Sequence, residues 1–351
     1  MLSLSKYRYG TLATEGEIRL LGLHAASCFE DPLIVRFRVL KGIAKSIYES
    51  IKPDPSRNYS LESPECIYVP RAGAYEAMSY AWGLDEKSKP ISVATENGLH
   101  GLSIHTNVDI MLRHLKEYSS WATSFDWNSE NEDSAGSCRW LWIDALCLNQ
   151  EDVIEKEHQV QRMGVIYKHA SRVLIWLGAD DDDKATAHQV LSMLSGYQQW
   201  NDPKWWDSQV WKRRRYIESM KRFLSRRWFQ RRWIVQEAAL APVAIVKCGK
   251  EELGFTWFAH GVSCILRRWK TELGEYQQIG RTLRIMQGSR CADDRDRLYA
   301  LQTLHHTGIT VCYTLSVLDT YQDFARAQIA RSPELLYYSG AFSSNTNLLP
   351  S

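Results

Sequence analysis

The residues best suited to chemistry lie in the stretch FLSRRWFQRRWIVQEAALA, where Glu237 follows Trp233 by four positions. In a helix, residues four apart share a face, so the carboxylate would lie beside the indole. A carboxylate among large aromatic side chains is partly desolvated, which raises its pKa and suits it to acid–base work or to stabilising a cation. The pattern also fits an exposed glutamate paired with Arg231 or Arg232, on a helix whose tryptophan face fills the core. The spacing alone leaves both interpretations open.

Two further groups of polar and aromatic residues stand where an apolar run ends: Asp144, Asn149 and Gln150 in one group, and Ser79, Tyr80, Trp82 and Gly83 in the other. In open α/β sheets, ligands bind beyond the carboxyl ends of parallel strands. These residues are therefore candidates for ligand contacts. The alternatives are structural, because Asn149 also suits the N-cap of the next helix and the second group also fits a core strand with a tight turn.

The elements that would position these residues follow a strand–helix–strand pattern. Trp140–Ile143 and Arg172–Leu177 are predicted strands, and residues 152–170 between them have helical periodicity. On that helix the predicted core face carries Val153, Val160, Met163, Tyr167 and Ala170. This order favours a parallel β-α-β unit with a right-handed crossover.

The rest of the chain is predicted to alternate between strands, helices and polar loops. Strands are expected at 17–23, 33–40, 75–83 and 243–249, and a hairpin at 91–104. Helices are expected at 107–118, 184–199, 211–224 and 229–241, with 255–331 mostly helical. Residues 41–70, 119–137 and the run of four aspartates at 180–183 are expected to be loops.

Composition excludes several classes of protein. Forty-three basic and 41 acidic residues give a net charge of +2, which argues against a nucleic-acid binder, although residues 212–232 are locally basic. No apolar run is long enough to span a membrane and the N-terminus lacks a secretory pattern, so we expect a cytoplasmic protein. The eight cysteines are scattered without a C-x-x-C pair, and no cluster predicts a metal site.

Four blocks together resemble the fungal heterokaryon incompatibility family: YEAMSYAWG, WIDALCLNQED continuing to IWLG, RRWFQRRWIVQE and RCADDRDRLYALQTL. The resemblance covers most of residues 6–331 and is densest at 75–240. Leu148 and Lys156 depart from the usual pattern, which has Ile and Arg. The chain stops at NLLPS where similar proteins continue through LPSW, so we expect a variable C-terminal region to be missing.

This resemblance implies a role in non-self recognition after fungal cell fusion and in the cell death that follows. It also implies a second incompatibility protein as a partner, whereas self-association is implied by the second resemblance, described next. The resemblance by itself supplies no reaction.

The order of the blocks is also similar to the Toll/interleukin receptor (TIR) fold, in which a late helix carries W-C-x-x-E. Trp233 and Glu237 match that motif, and Ile234 replaces its Cys. This resemblance implies NAD as a substrate, Glu237 as the catalytic residue, and no metal or bound cofactor. The other residues that would contact the nucleotide are Ser79, Tyr80, Trp82, Gly83, Asp144, Asn149, Gln150 and Trp233.

A non-enzymatic module that triggers death by assembly is the alternative. A Glu237 that points into a cleft shared with Asp144 and residues 79–83 favours the enzyme, and one that faces solvent beside Arg231 or Arg232 favours the module.

The predicted architecture is α/β, with a mostly parallel flavodoxin- or TIR-like sheet flanked by helices. An N-terminal strand pair with its loop occupies residues 1–70, the core occupies 71–250, and a helical extension occupies 251–351.

Overall fold

A computed structural model describes ten stretches of the chain: residues 4–13, 16–41, 75–83, 87–116, 138–179, 184–196, 218–220, 222–262, 293–300 and 309–331. The predicted loops at 41–70 and 119–137 and the aspartate run at 180–183 lie outside these stretches, apart from residue 41. The predicted domain boundaries near 70 and 250 remain predictions.

One sheet of nine strands organises the described residues, in the order β5-β4-β2-β1-β6-β3-β7-β8-β9. The strands are β1 (Ile18–His24), β2 (Ile34–Leu40), β3 (Glu76–Tyr80), β4 (Lys89–Thr95), β5 (Gly98–Ile104), β6 (Cys138–Trp142), β7 (Arg172–Trp176), β8 (Ala244–Cys248) and β9 (Glu251–Gly254). All residues of β1 and β3 are buried, as expected of strands covered on both faces.

The sheet is mixed, so the prediction of a mostly parallel sheet is wrong. Four strand pairings are parallel (β2–β4, β3–β6, β3–β7, β7–β8) and four are antiparallel (β1–β2, β1–β6, β4–β5, β8–β9). The N-terminal strand pair is confirmed as antiparallel, but it is built into the sheet because β1 lies between β2 and β6. The α/β class is confirmed.

The parallel centre of the sheet contains the predicted β-α-β unit. Strands β6 and β7 run in the same direction, and β3 lies between them and pairs with both. At the amino ends of these strands, the Glu76 carboxylate forms ion pairs with Arg139 at 2.6 Å and with Arg172 at 2.5 Å. These two ion pairs therefore join the amino ends of β3, β6 and β7. The carboxyl ends of the three strands remain available to form the site.

Seven helices can be given bounds: α1 (Thr106–Leu115), α2 (Asp144–Cys147), α3 (Val153–His169), α4 (Lys184–Ser195), α5 (Ile234–Ala239), α6 (Asp296–Tyr299) and α7 (Val317–Arg331). Residues 218–220, 222–224 and 255–262 are also helical. Among the described residues, no helix is both long enough and apolar enough to cross a membrane.

Three local predictions need correction. The helix expected at 229–241 is a 3-10 turn at Arg227–Gln230, a break, and then the six residues of α5. Strand β9 was not predicted, although the helical content expected after it is present at 255–262 and in α6 and α7. Val153 is 47% exposed and does not belong to the core face of α3.

Candidate functional site

Glu237 is the centre of a buried polar cluster at the carboxyl end of β3. The Ser79 hydroxyl donates a short hydrogen bond to Glu237 Oε2, and Trp228 Nε1 donates to Ser79 Oγ at 2.7 Å. The Arg231 guanidinium lies 3.3 Å from the same carboxylate oxygen and also donates to the carbonyl of Tyr80. Two segments distant in the sequence, 79–80 and 228–237, thus meet at one carboxylate.

Burial dominates the electrostatics of this cluster. Glu237 is completely buried, and this desolvation raises the pKa of its carboxyl, although Arg231 and the Ser79 hydroxyl act in the opposite direction. Burial also disfavours the Arg231 charge, but the carboxylates of Glu237 and Asp144 more than compensate and raise the pKa of the guanidinium. Glu237 Oε1 is buried and has no hydrogen-bond partner among the residues that the structure describes, so one oxygen of the carboxylate is uncommitted there.

Asp144 forms a second polar centre beside the first. Its carboxylate accepts hydrogen bonds from the Tyr80 hydroxyl at 2.8 Å, from Trp82 Nε1 at 2.9 Å and from the backbone N–H of Ala145 at 2.8 Å. Since Tyr80 and Trp82 flank the end of β3 and Asp144 follows β6, these bonds join the carboxyl ends of two neighbouring parallel strands. The Gln150 amide donates to the Asp144 carbonyl at 3.0 Å and closes the turn after α2.

A cavity of about 420 Å³ opens in front of Asp144 and Arg231. Its volume falls in the range typical of small-molecule sites. The lining combines charged, aromatic and apolar side chains: Ala81, Trp82, Asp144, Leu148, Gln150, Lys156, Val160, Met163, Arg227, Gln230, Arg231, Trp233, Asp293, Asp296 and Tyr313. Trp82 is 40% exposed, so its ring is accessible from the cavity mouth.

The far wall of the cavity comes from residues near α6. The Tyr313 hydroxyl donates to Asp296 Oδ1 at 2.7 Å, and burial raises the pKa of the Asp296 carboxyl. Arg295 pairs with Asp293 at 2.6 Å and donates to the carbonyl of Tyr313 at 2.7 Å. The ammonium of Lys156, from α3, lies 4.4 Å from the centre of the Tyr313 ring. This wall is therefore attached to α3 through polar and cation–π contacts.

Most of the predicted site residues come together here, but not in equal roles. Trp82, Asp144, Gln150 and Trp233 line the cavity, whereas Ser79, Tyr80 and Glu237 lie behind its wall. Gly83 and Asn149 do not contribute to the lining.

Asn149 is not the cap of α3, which corrects the structural alternative considered for it. The Asp152 side chain accepts from the N–H of Glu155 at 3.0 Å, whereas Asn149 Oδ1 accepts from the N–H of Glu151 at 3.2 Å in the preceding turn.

The position of Glu237 matches neither of the two alternatives in full. It does not face solvent, and it pairs with Arg231, one of the two candidate arginines. It also does not line the cavity; Arg231 contacts Glu237 and the cavity at once.

Comparisons with known proteins identify the family that the central part of the chain resembles. The family model described as Heterokaryon incompatibility protein (HET) matches residues 75–237, which begin one residue before β3 and end at Glu237. Residues 75–237 form a heterokaryon incompatibility (HET) domain. A curated relative, "Heterokaryon incompatibility protein 6, OR allele" of Neurospora crassa, is 29% identical over 264 residues. The match covers 66% of this chain and 33% of the relative, so the chain spans about a third of the length of that protein. None of the solved structures matches.

The HET domain does not contain all of the sheet or all of the cavity. Strands β1 and β2, which precede it, and β8 and β9, which follow it, belong to the same sheet. Asp293, Asp296 and Tyr313 complete the cavity from beyond the matched residues. The site is therefore built jointly by the HET domain and the segment that follows.

Sequence reasoning missed several residues of the HET domain site. Trp228 was not among the predicted site residues, and Lys156 was noted only as a departure from the family pattern. Asp293 and Asp296 lie in the block RCADDRDRLYALQTL, whose run of acids was a signal that could have placed them at the site. Among the described residues there is no cluster of His, Cys, Asp and Glu suited to a metal ion.

Proposed function

We propose that this chain is an effector of fungal heterokaryon incompatibility, acting in the cytoplasm, and that its HET domain hydrolyses NAD. The family match and the Neurospora relative support the first part, non-self recognition followed by cell death. The observation that carries the second part is the buried Glu237 carboxylate, which is linked through Arg231 to a cavity of ligand size. Self-association and a second incompatibility protein are the proposed triggers.

The chemistry follows from the position of the carboxylate. Nicotinamide leaves C1 of the ribose through an oxocarbenium-like state, and a nearby carboxylate stabilises the developing positive charge. Glu237 has one uncommitted oxygen for this contact, and Ser79 and Trp228 fix the direction of the other. Trp82 and Trp233 supply rings at the cavity wall on which a planar ring of the substrate can stack.

Access to Glu237 requires a change at Arg231. In the described state the guanidinium is bonded to Tyr80 and Glu237, and Glu237 does not line the cavity. We propose that assembly or substrate binding displaces Arg231 and brings the carboxylate to the ribose. The order of Ser79–Tyr80, Asp144, α3, β7 and Glu237 along the chain supports the proposed likeness to TIR proteins.

A non-enzymatic module is the second candidate, and one observation favours it. Glu237 is completely buried and bonded to Ser79 and Arg231, as a purely structural ion pair would be. On this view the carboxylate holds the end of β3 in place and death follows from assembly alone.

Expression in fungal cells separates the two candidates. Viability and cellular NAD are measured for the wild type, for Glu237→Gln and for Glu96→Gln, a matched change in the exposed turn between β4 and β5. If the protein hydrolyses NAD, we expect the wild type and Glu96→Gln to deplete cellular NAD and to kill the cells. At an equal protein level, Glu237→Gln should leave both NAD and viability unchanged. Killing by a folded Glu237→Gln protein without loss of NAD would establish the module instead.

A further inference from the structure

We propose that the cavity holds a phosphate or pyrophosphate group, and that Lys156 and Arg227 bind it. Both residues line the cavity. The identity of the whole ligand, a pyrophosphate-bearing nucleotide, rests on the proposed function. The anion site itself rests on the charges in the cavity and on which of them already have partners.

Three cationic side chains from the described residues line the cavity, and they differ in whether they already have an anionic or hydrogen-bonding partner. Arg231 is committed, since it bonds to Glu237 and to the Tyr80 carbonyl. Within the described part of the chain, the Tyr313 ring is the close partner of the Lys156 ammonium, whose charge also acts on Asp293 and Asp296 without a salt bridge to either. Arg227 is exposed, and neither it nor Lys156 takes part in a salt bridge among the described residues. Two cations are thus available to a ligand.

Among the described residues, the carboxylates of the cavity form no salt bridge with these two cations, and each has donors of its own. Asp144 is held by Tyr80, Trp82 and Ala145, and Asp296 by Tyr313. Asp293 is paired with Arg295, which lies outside the lining. Since no salt bridge among the described residues uses the Lys156 ammonium or the Arg227 guanidinium, both can bind an anion that enters from solvent.

The surroundings of the two cations determine what kind of anion fits. Arginine binds phosphate oxygens in a bidentate manner, and lysine adds a compact point charge. Trp82, Trp233 and Tyr313 bring aromatic rings to the same cavity, together with apolar side chains of α3 such as Val160 and Met163. A simple inorganic anion would leave these apolar surfaces uncovered, whereas a nucleotide covers them with its rings.

Calorimetric titration of the 351-residue chain tests the proposal. The probes are ADP-ribose, which carries a pyrophosphate but no nicotinamide to release, and inorganic pyrophosphate. The variants are Lys156→Gln with Arg227→Gln, the charge-conserving pair Lys156→Arg with Arg227→Lys, and the control Lys6→Gln. Lys6 is 77% exposed in its side chain and pairs with Glu151 outside the cavity. The thermal midpoint of each variant is measured first, to confirm the fold.

The proposal predicts that wild type and Lys6→Gln bind ADP-ribose equally, and that the double Gln variant binds it about tenfold more weakly or worse. The charge-conserving pair should recover most of the affinity, and added salt should weaken wild-type binding more than binding by the double Gln variant. Equal affinity of wild type and the double Gln variant would overturn the proposal, as would no binding of either probe to the wild type.

These outcomes are separate from those of the proposed function. If ADP-ribose binding depends on Lys156 and Arg227 but no NAD is cleaved, the anion site is supported and the proposed NAD hydrolysis is refuted. If NAD cleavage requires Glu237 while the double Gln variant binds ADP-ribose normally, the proposed NAD hydrolysis is supported and the anion site is refuted.

Discussion

At the scale of single residues, the hydroxyl of Ser79 determines how the buried carboxylate is held. It accepts a hydrogen bond from Trp228 Nε1 at 2.7 Å and donates its own proton to Glu237. Ser79 itself is completely buried, so no water can replace either bond without a new cavity. The orientation of Glu237 therefore depends on one small side chain.

Ser79→Ala should destabilise the protein by about 1–3 kcal/mol, because it leaves a buried indole N–H without its acceptor and removes a donor from a buried carboxylate. Urea unfolding measures the change. Ser103→Ala, in the exposed part of β5, is the matched control and should stay within about 0.5 kcal/mol of the wild type. Equal effects of the two changes would refute the role assigned to Ser79.

Glu237 should also make stability depend on pH. Its pKa is raised from the ordinary value of 4.5, chiefly by burial, so the folded protein keeps a proton that the unfolded chain loses. The stability tied to this proton is complete below about pH 4.5 and is lost as the pH rises through the folded-state pKa.

We therefore expect the stability of the wild type relative to Glu237→Gln to fall between about pH 4 and pH 7, since glutamine cannot ionise. Denaturant unfolding of both proteins at the two pH values measures the difference. A wild-type advantage that grows with pH would mean that Arg231 outweighs burial and that the carboxyl pKa is lowered.

The residue types of the site were predictable from the sequence, but their partners were not. The spacing of Trp233 and Glu237 indicated a desolvated carboxylate, and burial of Glu237 agrees with this. Ser79 and Glu237 are 158 positions apart, and Trp228 and Ser79 are 149 apart. Contacts at such separations are fixed by tertiary packing, which local spacing does not encode.

At the scale of secondary-structure elements, the start of α3 decides where Lys156 and the loop after Asp144 lie. Asp152 caps this helix, and Glu155 in its first turn forms a buried ion pair with Arg19 of β1 at 2.8 Å. Glu155 also accepts from the N–H of Asn149 at 2.8 Å. The cap and the ion pair together attach the helix start to the sheet.

Asp152→Ala should cost about 1 kcal/mol of folding free energy, as loss of an N-cap usually does. Asn149→Ala should cost clearly less, because its side chain accepts only one bond, at 3.2 Å, within an exposed turn. Thermal or urea unfolding of the two variants side by side checks the order. A larger loss of stability in Asn149→Ala than in Asp152→Ala would show that Asn149 is the effective N-cap.

Elements with a strong local pattern were predictable, and those that depend on their neighbours were not. The apolar runs of β1, β3 and β7 and the periodicity of α3 each indicate one structure. The break before α5 has no such signal, since its residues favour helix locally but form a 3-10 turn from which Arg231 reaches Tyr80 and Glu237. The insertion of β1 between β2 and β6 is likewise a matter of pairing, which no single strand specifies.

At the scale of the whole molecule, the HET domain depends on strands outside its boundaries. Within residues 75–237, β6 would lack its neighbour β1, and β7 would lack β8. Unpaired edges of apolar strands promote aggregation rather than folding.

A fragment of residues 75–237 should therefore fail to unfold cooperatively, whereas residues 1–262, which include all nine strands, should retain a cooperative transition. Circular dichroism during urea unfolding and size-exclusion chromatography measure the two fragments. A monomeric 75–237 fragment with a sharp transition would show that the family boundaries already enclose an independent fold.

The proposed action of Glu237 on NAD is measured as nicotinamide release by the concentrated 351-residue protein. We expect release by the wild type and by Glu96→Gln, and a loss of about a hundredfold or more in a Glu237→Gln protein whose near-UV circular dichroism matches the wild type. Release that persists at the wild-type rate in Glu237→Gln would refute a catalytic role for this carboxyl group, as would a wild type that kills cells while releasing no nicotinamide.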